Sequence, residues 1–237
     1  MENQNQKSKY SSIIDQTFLK KGAIEQEIQR ICEEAIEYQF RGLCIFPEHT
    51  QAAKKFLQES DIKVITLIDE PTGASTHEER LKMVEKAKAD GTDEVDVVMK
   101  IDYFKNEKHQ EVFEDLKEIS EILPTKVIIG SGYLTDKEIE EASKMVKSAG
   151  GICVKTATVK DPLDESELAE KAKHIRIMKN YAPGLLIKAS GGIRNLEAVK
   201  MMVNSGADII GTSSGKEIVD EERGETIEAI KDGRIIE

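Results

Sequence analysis

Short apolar runs alternate with longer, charged, amphipathic stretches along almost the whole chain, and this alternation limits the fold more than any other feature. Eight runs read as strands: 12–14, 42–46, 63–68, 94–98, 125–129, 151–155, 185–188 and 209–211. Each is bounded by Gly, Pro or polar turn residues. Helical patterns lie between them. Residues 25–38 place Ile28, Ile31, Cys32, Ala35 and Ile36 on one face, and residues 77–89 do the same with Leu81, Val84 and Ala87. Further helical patterns run near 111–121, 136–147, 165–180, 196–203 and 216–230. Strand–helix alternation repeated eight times predicts a parallel sheet with crossover helices. Eight such units within 237 residues fit an α/β fold of a single closed (β/α)8 barrel, the TIM barrel. An open doubly wound sheet competes with it, but no Gly-x-Gly-x-x-Gly follows the first run. No linker or charge block divides the chain. The expected organisation is one catalytic domain over 11–237 behind a polar extension at 1–10.

Charge narrows the range of partners. Lys plus Arg is 34 and Asp plus Glu is 45, a net charge of −11. That balance argues against a nucleic-acid binder, which needs a basic face. It leaves small anionic substrates open, because backbone amides and one local Lys can hold them on an acidic protein. No apolar run is long enough for a membrane span, and the polar first ten residues lack the apolar core of a signal peptide. The three cysteines, Cys32, Cys44 and Cys153, are far apart, and no histidine stands at ligand spacing from a second His or Cys. The expectation is a cytosolic protein with no metal site.

A barrel of this kind carries its site at the C-terminal ends of its strands. The polar residues that end the apolar runs are Asp15, Cys44, Asp96, Lys155 and Lys188. Lys155 follows Cys153 and Val154. If Val154 faces the helices, strand alternation turns Cys153 and Lys155 into the barrel. An inward ammonium loses hydration, which favours the free amine, and a free amine can form a Schiff base with a carbonyl. The alternative is a lysine that snorkels to the rim. Lys188 ends the next run and can also point inward, where two neighbouring ammonium groups disfavour each other's protonation. It can equally bind an anionic substrate group. Asp96 is the inward carboxylate for an ion pair or a proton relay, and Glu94 can pair with a lysine in a lower layer. Loops Ala189-Ser190-Gly191-Gly192-Ile193-Arg194 and Gly211-Thr212-Ser213-Ser214-Gly215 put small residues and backbone amides before a helix in the seventh and eighth positions, the usual barrel phosphate site. Taken alone, each loop is also a common turn, and Cys44 is a small core residue.

Taken together, Ile14-Asp15-Gln16-Thr17, Leu43-Cys44-Ile45-Phe46-Pro47, Glu94-Val95-Asp96-Val97-Val98, Lys126-Val127-Ile128-Ile129, Val154-Lys155-Thr156-Ala157-Thr158 and the two Gly-Ser loops resemble the deoxyribose-phosphate aldolases, a class I aldolase family. The resemblance runs from about residue 14 to 218. It implies the same barrel and the reversible cleavage of 2-deoxyribose 5-phosphate to glyceraldehyde 3-phosphate and acetaldehyde, without metal or cofactor. It implies Lys155 as the Schiff-base lysine, Lys188 as the lysine that lowers its pKa, and Asp96 as the acid that moves protons with a water. It places Asp15, Thr17, Cys44 and Thr158 near the substrate, and Gly191, Gly192, Ser213 and Ser214 around the phosphate. It also implies a homo-oligomer. The chain departs from the family pattern at Val159, at Asp69-Glu70, at Gly130-Ser131, at Gln16 and in its last residues. These departures keep two other readings open: the same lysine chemistry on a different sugar phosphate or aldehyde, and a barrel that binds a sugar phosphate without turning it over.

Overall fold

The computed structural model describes residues 8–158, 161–163 and 167–231. Eight strands form one closed parallel barrel: β1 (Ile14–Phe18), β2 (Gly42–Ile45), β3 (Lys63–Ile68), β4 (Glu94–Val98), β5 (Thr125–Ile128), β6 (Cys153–Lys155), β7 (Leu186–Ser190) and β8 (Ile209–Thr212). Strand β1 pairs with both β2 and β8, which closes the ring and leaves no sheet edge. The surrounding helices are α1 (Glu25–Glu37), α2 (Thr50–Leu57), α3 (His77–Ala89), α4 (Ile101–Lys105), α5 (His109–Ile122), α6 (Asp136–Ser148), α7 (Leu168–Tyr181), α8 (Leu196–Asn204) and α9 (Gly215–Lys231). Among the described residues no helix is long and apolar enough to cross a membrane.

Two packing layers follow from the two-residue period of the strands. Outward residues such as Leu43, Ile45, Val64, Val127, Val154, Ile187 and Ile210 are buried against the helices and form most of the core. Val95, Val97 and Ile68 do the same against α3 and α5. Inside the barrel, Cys44, Ile65, Leu67, Val98 and Ile128 make a smaller apolar cluster. The other inward positions include six buried charged residues, Asp15, Glu94, Asp96, Lys126, Lys155 and Lys188. Helix starts are capped locally: Thr76 and Glu79 form a capping box on α3, and Thr135 and Glu138 one on α6.

The expected barrel and its eight strands are present, with three differences. Residues 11–13 form a short 3₁₀ turn, and β1 begins at Ile14, so Asp15 lies within the strand rather than after it. Lys188 is likewise mid-strand, since β7 continues to Ser190, whereas Asp96 lies within β4 as the run 94–98 places it. An apolar scan stops at a charge, whereas a charge paired inside the barrel lets the strand continue. Gly151 belongs to the turn leaving α6, where its N–H bonds to Val146 O, so β6 starts later, at Cys153. Helices α2 and α4 were not expected. Helix α2 buries only Thr50, Ala53 and Leu57, and α4 is five residues long, too little for a periodic signal. Residues 1–7 of the polar extension, Val159 and the last six residues lie outside the described residues.

Candidate active site

Inside the barrel six side chains close a ring of alternating charge. Arg41 reaches Asp15 at 2.8 Å, and Asp15 meets Lys188 at 2.5 Å. Lys188 touches Asp96 at 2.8 Å, and Asp96 meets Lys126 at 2.7 Å. Lys126 meets Glu94 at 2.8 Å, and Glu94 returns to Arg41 at 2.7 Å. The strand register makes this possible: β4 presents Glu94 and Asp96 on one face, and Lys126 on β5 is the cross-strand partner of Asp96. Lys155 stands outside the ring and joins it through Asp96 Oδ2, 2.7 Å from its Nζ. That oxygen also accepts from Lys188, so the two lysines meet at one atom. Lys155 and Lys188 are register partners on β6 and β7. Lys155 is 4% exposed and Lys188 is fully buried, which excludes the snorkelling alternative for both.

The ring sets the charge states. Burial raises the Asp96 carboxyl, but Lys126, Lys155 and Lys188 outweigh it and hold Asp96 well below the usual carboxylate range. Burial also opposes ionisation of Glu94, yet Lys126, Lys63 and Arg41 bring it down to about 2. Burial lowers Lys188, and the carboxylates of Asp15 and Asp96 reverse that and raise it above the ordinary lysine range. Lys188 is therefore held as a cation. Cys44 lies 3.8 Å from Asp96 Oδ2 through its sulfur. Burial, with Asp96 beside it, pushes its thiol up to about 11, so it is a neutral thiol at the edge of the site.

The other expected residues lie toward the mouth. Thr17 is half-buried on β1 with its hydroxyl near Asp15 O, and Thr158 is half-buried in the loop after β6. Gly191 and Gly192 follow β7 with φ of +89° and +70°, a left-handed pair that a side chain would strain. The buried ammonium of Lys171 on α7 donates to Gly191 O at 2.5 Å. In a trans peptide this turns the Gly192 N–H to the opposite side. Among the described residues the N–H groups of Gly191, Gly192 and Ser213 donate to nothing in the protein. The Ser214 N–H is engaged by Thr212 Oγ1 at 2.9 Å, so of Ser214 only the hydroxyl is left for a ligand.

The departures from the family pattern take definite places. Asp69 is turned to Arg80 at 2.6 Å and Glu70 to Lys21 at 3.1 Å, so neither carboxylate stands free at the mouth. Gln16 donates to Glu34 and accepts from the Gly215 N–H at 3.1 Å, which ties β1 to the start of α9. Lys126 and Arg41 complete the ring and carried no role in the sequence reading. A lysine inside the apolar run 125–129 was the available signal for the first. Arg41 lies before a strand, where nothing marks it. Glu94 does take a lower-layer lysine, as the alternation suggested.

Relatives share this arrangement of elements. The sequence profile described as DeoC/LacD family aldolase matches residues 11–221. A deoxyribose-phosphate aldolase of Natranaerobius thermophilus is 36% identical over 214 residues, 88% of this chain and 95% of that one. Among solved structures, an aldolase named QR15 superposes with a TM-score of 0.85 at 32% identity, covering 92% of this chain and 98% of its own. The tetrameric deoxyribose phosphate aldolase of Aeropyrum pernix gives 0.80 at 26% identity, covering 89% of each chain. With a profile match over most of the chain, a relative above one-third identity and one shared barrel, the chain belongs to the DeoC/LacD family of aldolases.

Proposed function

We propose that the protein is a class I aldolase, a carbon–carbon lyase, that cleaves 2-deoxyribose 5-phosphate to glyceraldehyde 3-phosphate and acetaldehyde with Lys155 as the Schiff-base lysine. The observation that carries this reading is the single oxygen, Asp96 Oδ2, shared by buried Lys155 and Lys188. Two lysines held this close give one site both a nucleophile and a fixed cation. Lys155, after releasing its proton, adds through Nζ to C1 of the open-chain sugar. The carbinolamine then loses water to an iminium. Removal of the C3 hydroxyl proton breaks the C2–C3 bond, and the electron pair flows into the iminium to give an enamine and the free aldehyde. Protonation of the enamine and hydrolysis release acetaldehyde and restore Lys155.

Asp96 enters this cycle as a carboxylate. Three ammonium groups hold it ionised, so it accepts protons rather than supplying the first one. When Lys155 loses its charge, one of those three cations is gone and Asp96 becomes a better base, which couples amine release to proton transfer. Lys188 stays charged throughout and offsets the negative charge that develops on the substrate's oxygen. The free N–H groups of Gly191, Gly192 and Ser213, with the hydroxyls of Ser213 and Ser214, suit a phosphate. Half-buried Thr17 and Thr158 are read as substrate contacts. Asp69 and Glu70, paired elsewhere, give no support to a non-anionic substrate. The relative from Aeropyrum pernix is tetrameric, which favours a homo-oligomer here, and three buried free cysteines favour a reducing, cytoplasmic setting.

The test is a panel of aldols assayed with and without chelator. The expected result is turnover of 2-deoxyribose 5-phosphate, unchanged by chelator. Turnover of another aldol without this one would move the chemistry to a different substrate. Inertness toward all of them would leave a binding protein.

A further inference from the structure

Ser190 ends β7 on the same inward face as Lys188, two residues closer to the mouth. It is 6% exposed, and its N–H and C=O are both engaged by the Thr156 hydroxyl at 2.9 and 3.0 Å. Its own hydroxyl, by contrast, is buried without a hydrogen-bond partner. An unpaired buried hydroxyl is destabilising, and the fold keeps few of them without cause. Its cross-strand neighbour on β8 is Gly211. A Cβ built on Gly211 would overlap Ser190 Oγ and stand 3.0 Å from Lys188 Cε. The hydroxyl therefore leans into the barrel over Lys188, in a space kept open by the missing side chain.

We infer that Ser190 is a specificity-determining residue, and that its Oγ hydrogen-bonds the hydroxyl on the acceptor carbon next to the reacting aldehyde. This inference rests on the aldolase reading above. The order of groups along the wall supports the choice. Lys155 carries the imine with Lys188 beside it, Ser190 comes next along β7, and the free amides of Gly191 and Gly192 follow at once. In glyceraldehyde 3-phosphate the hydroxyl-bearing carbon stands between the aldehyde and the carbon that carries the phosphate. A serine between the lysines and the phosphate loop matches that middle position. The substrate hydroxyl supplies the partner that the resting protein lacks.

The experiment adds acetaldehyde to two acceptors, glyceraldehyde 3-phosphate and 3-oxopropyl phosphate, which lacks the hydroxyl. Wild type and Ser190→Ala are compared, with thermal midpoints and acetaldehyde trapping by borohydride measured alongside. With the natural acceptor, kcat/KM falls about tenfold in Ser190→Ala, the usual worth of one lost hydrogen bond. With 3-oxopropyl phosphate the two proteins agree within about twofold. The thermal midpoint stays level or rises, since no hydrogen bond of the fold is lost. Equal losses on both acceptors, no loss on either, or a clear fall in the midpoint would overturn the inference. Trapping needs no acceptor, so its absence in the wild type would instead mark failure of the underlying aldolase reading.

Discussion

Lys126 and Lys155 sit on neighbouring strands, face the same interior and each touch Asp96 at 2.7 Å. Their surroundings divide the barrel into two regions. Lys126, fully buried, lies between Glu94 and Asp96 on the floor, with Arg41 and Lys63 completing Glu94. Lys155 pairs across with Ile128, two residues further up β5 than Lys126, and Asp96 is its ion-pair partner. The floor belongs to a closed ring in which each member answers at least two opposite charges. The upper layer has a lysine attached at one carboxylate, at the last strand position before the loop that follows β6. Burial and charge are alike in the two regions; the number of carboxylate partners and the distance from the mouth differ. On the proposed reading the first region serves the fold and the second the chemistry.

The largest expected effect is on Lys155→Leu. It should lower aldol cleavage by at least about a thousandfold, since the covalent step is lost. Its unfolding free energy should change by no more than ~1 kcal/mol, because Asp96 keeps Lys126 and Lys188. Cleavage kinetics and urea melts on one preparation check both halves. Glu94→Gln should do the reverse. It leaves Arg41 and Lys126 each short of a carboxylate, at a cost of about 3 kcal/mol, while acetaldehyde trapping on Lys155 persists in the folded protein. The same residue sets an acid limit. The folded Glu94 carboxyl, near 2, lies below its ordinary value of 4.5, so its contribution is complete above about pH 4.5 and is lost as pH falls toward 2. Melts across that window should show a shallower pH slope in Glu94→Gln.

A smaller effect belongs to the mouth. Lys171→Met frees the Gly191 carbonyl and should raise KM for phosphorylated substrate about tenfold, with kcat within about twofold. Turnover of unphosphorylated 2-deoxyribose should be unchanged, which a general loss of structure would not allow. The smallest effect is on the outer surface. Lys86→Ala removes an i,i+4 pair with Asp90 and should cost no more than ~0.5 kcal/mol in a urea melt. It is the control for what an ion pair contributes when water screens it.

Much of this division was legible in the sequence. Period-two alternation turns Asp96, Lys155 and Lys188 inward from the sequence alone, because one strand residue decides the direction of the next. The two Gly-Ser loops fell after β7 and β8 as expected. What could not be read were partners contributed by distant segments. Arg41 bonds Asp15 and Glu94 from a position before β2, and Lys171 reaches the Gly191 carbonyl from the first turn of α7. Neither lies in a motif, because each acts through barrel closure rather than local spacing. The end of β1 was misplaced for the same reason: Asp15 breaks an apolar run, and only Arg41 and Lys188 make it a strand residue. Asp69 and Glu70 stand out in the sequence as departures from the family pattern, and their cations, Arg80 and Lys21, are not evident from spacing.

The most direct measurement is borohydride reduction in the presence of acetaldehyde, followed by peptide mass mapping. Reduction converts a transient imine into a stable secondary amine on the reactive lysine. The account predicts one adduct, on Lys155, absent in Lys155→Leu and weakened in Lys188→Leu, with Lys126 unmodified although it touches the same carboxylate. An adduct on Lys126 or Lys188 in place of Lys155, or no adduct on the folded protein, would contradict it.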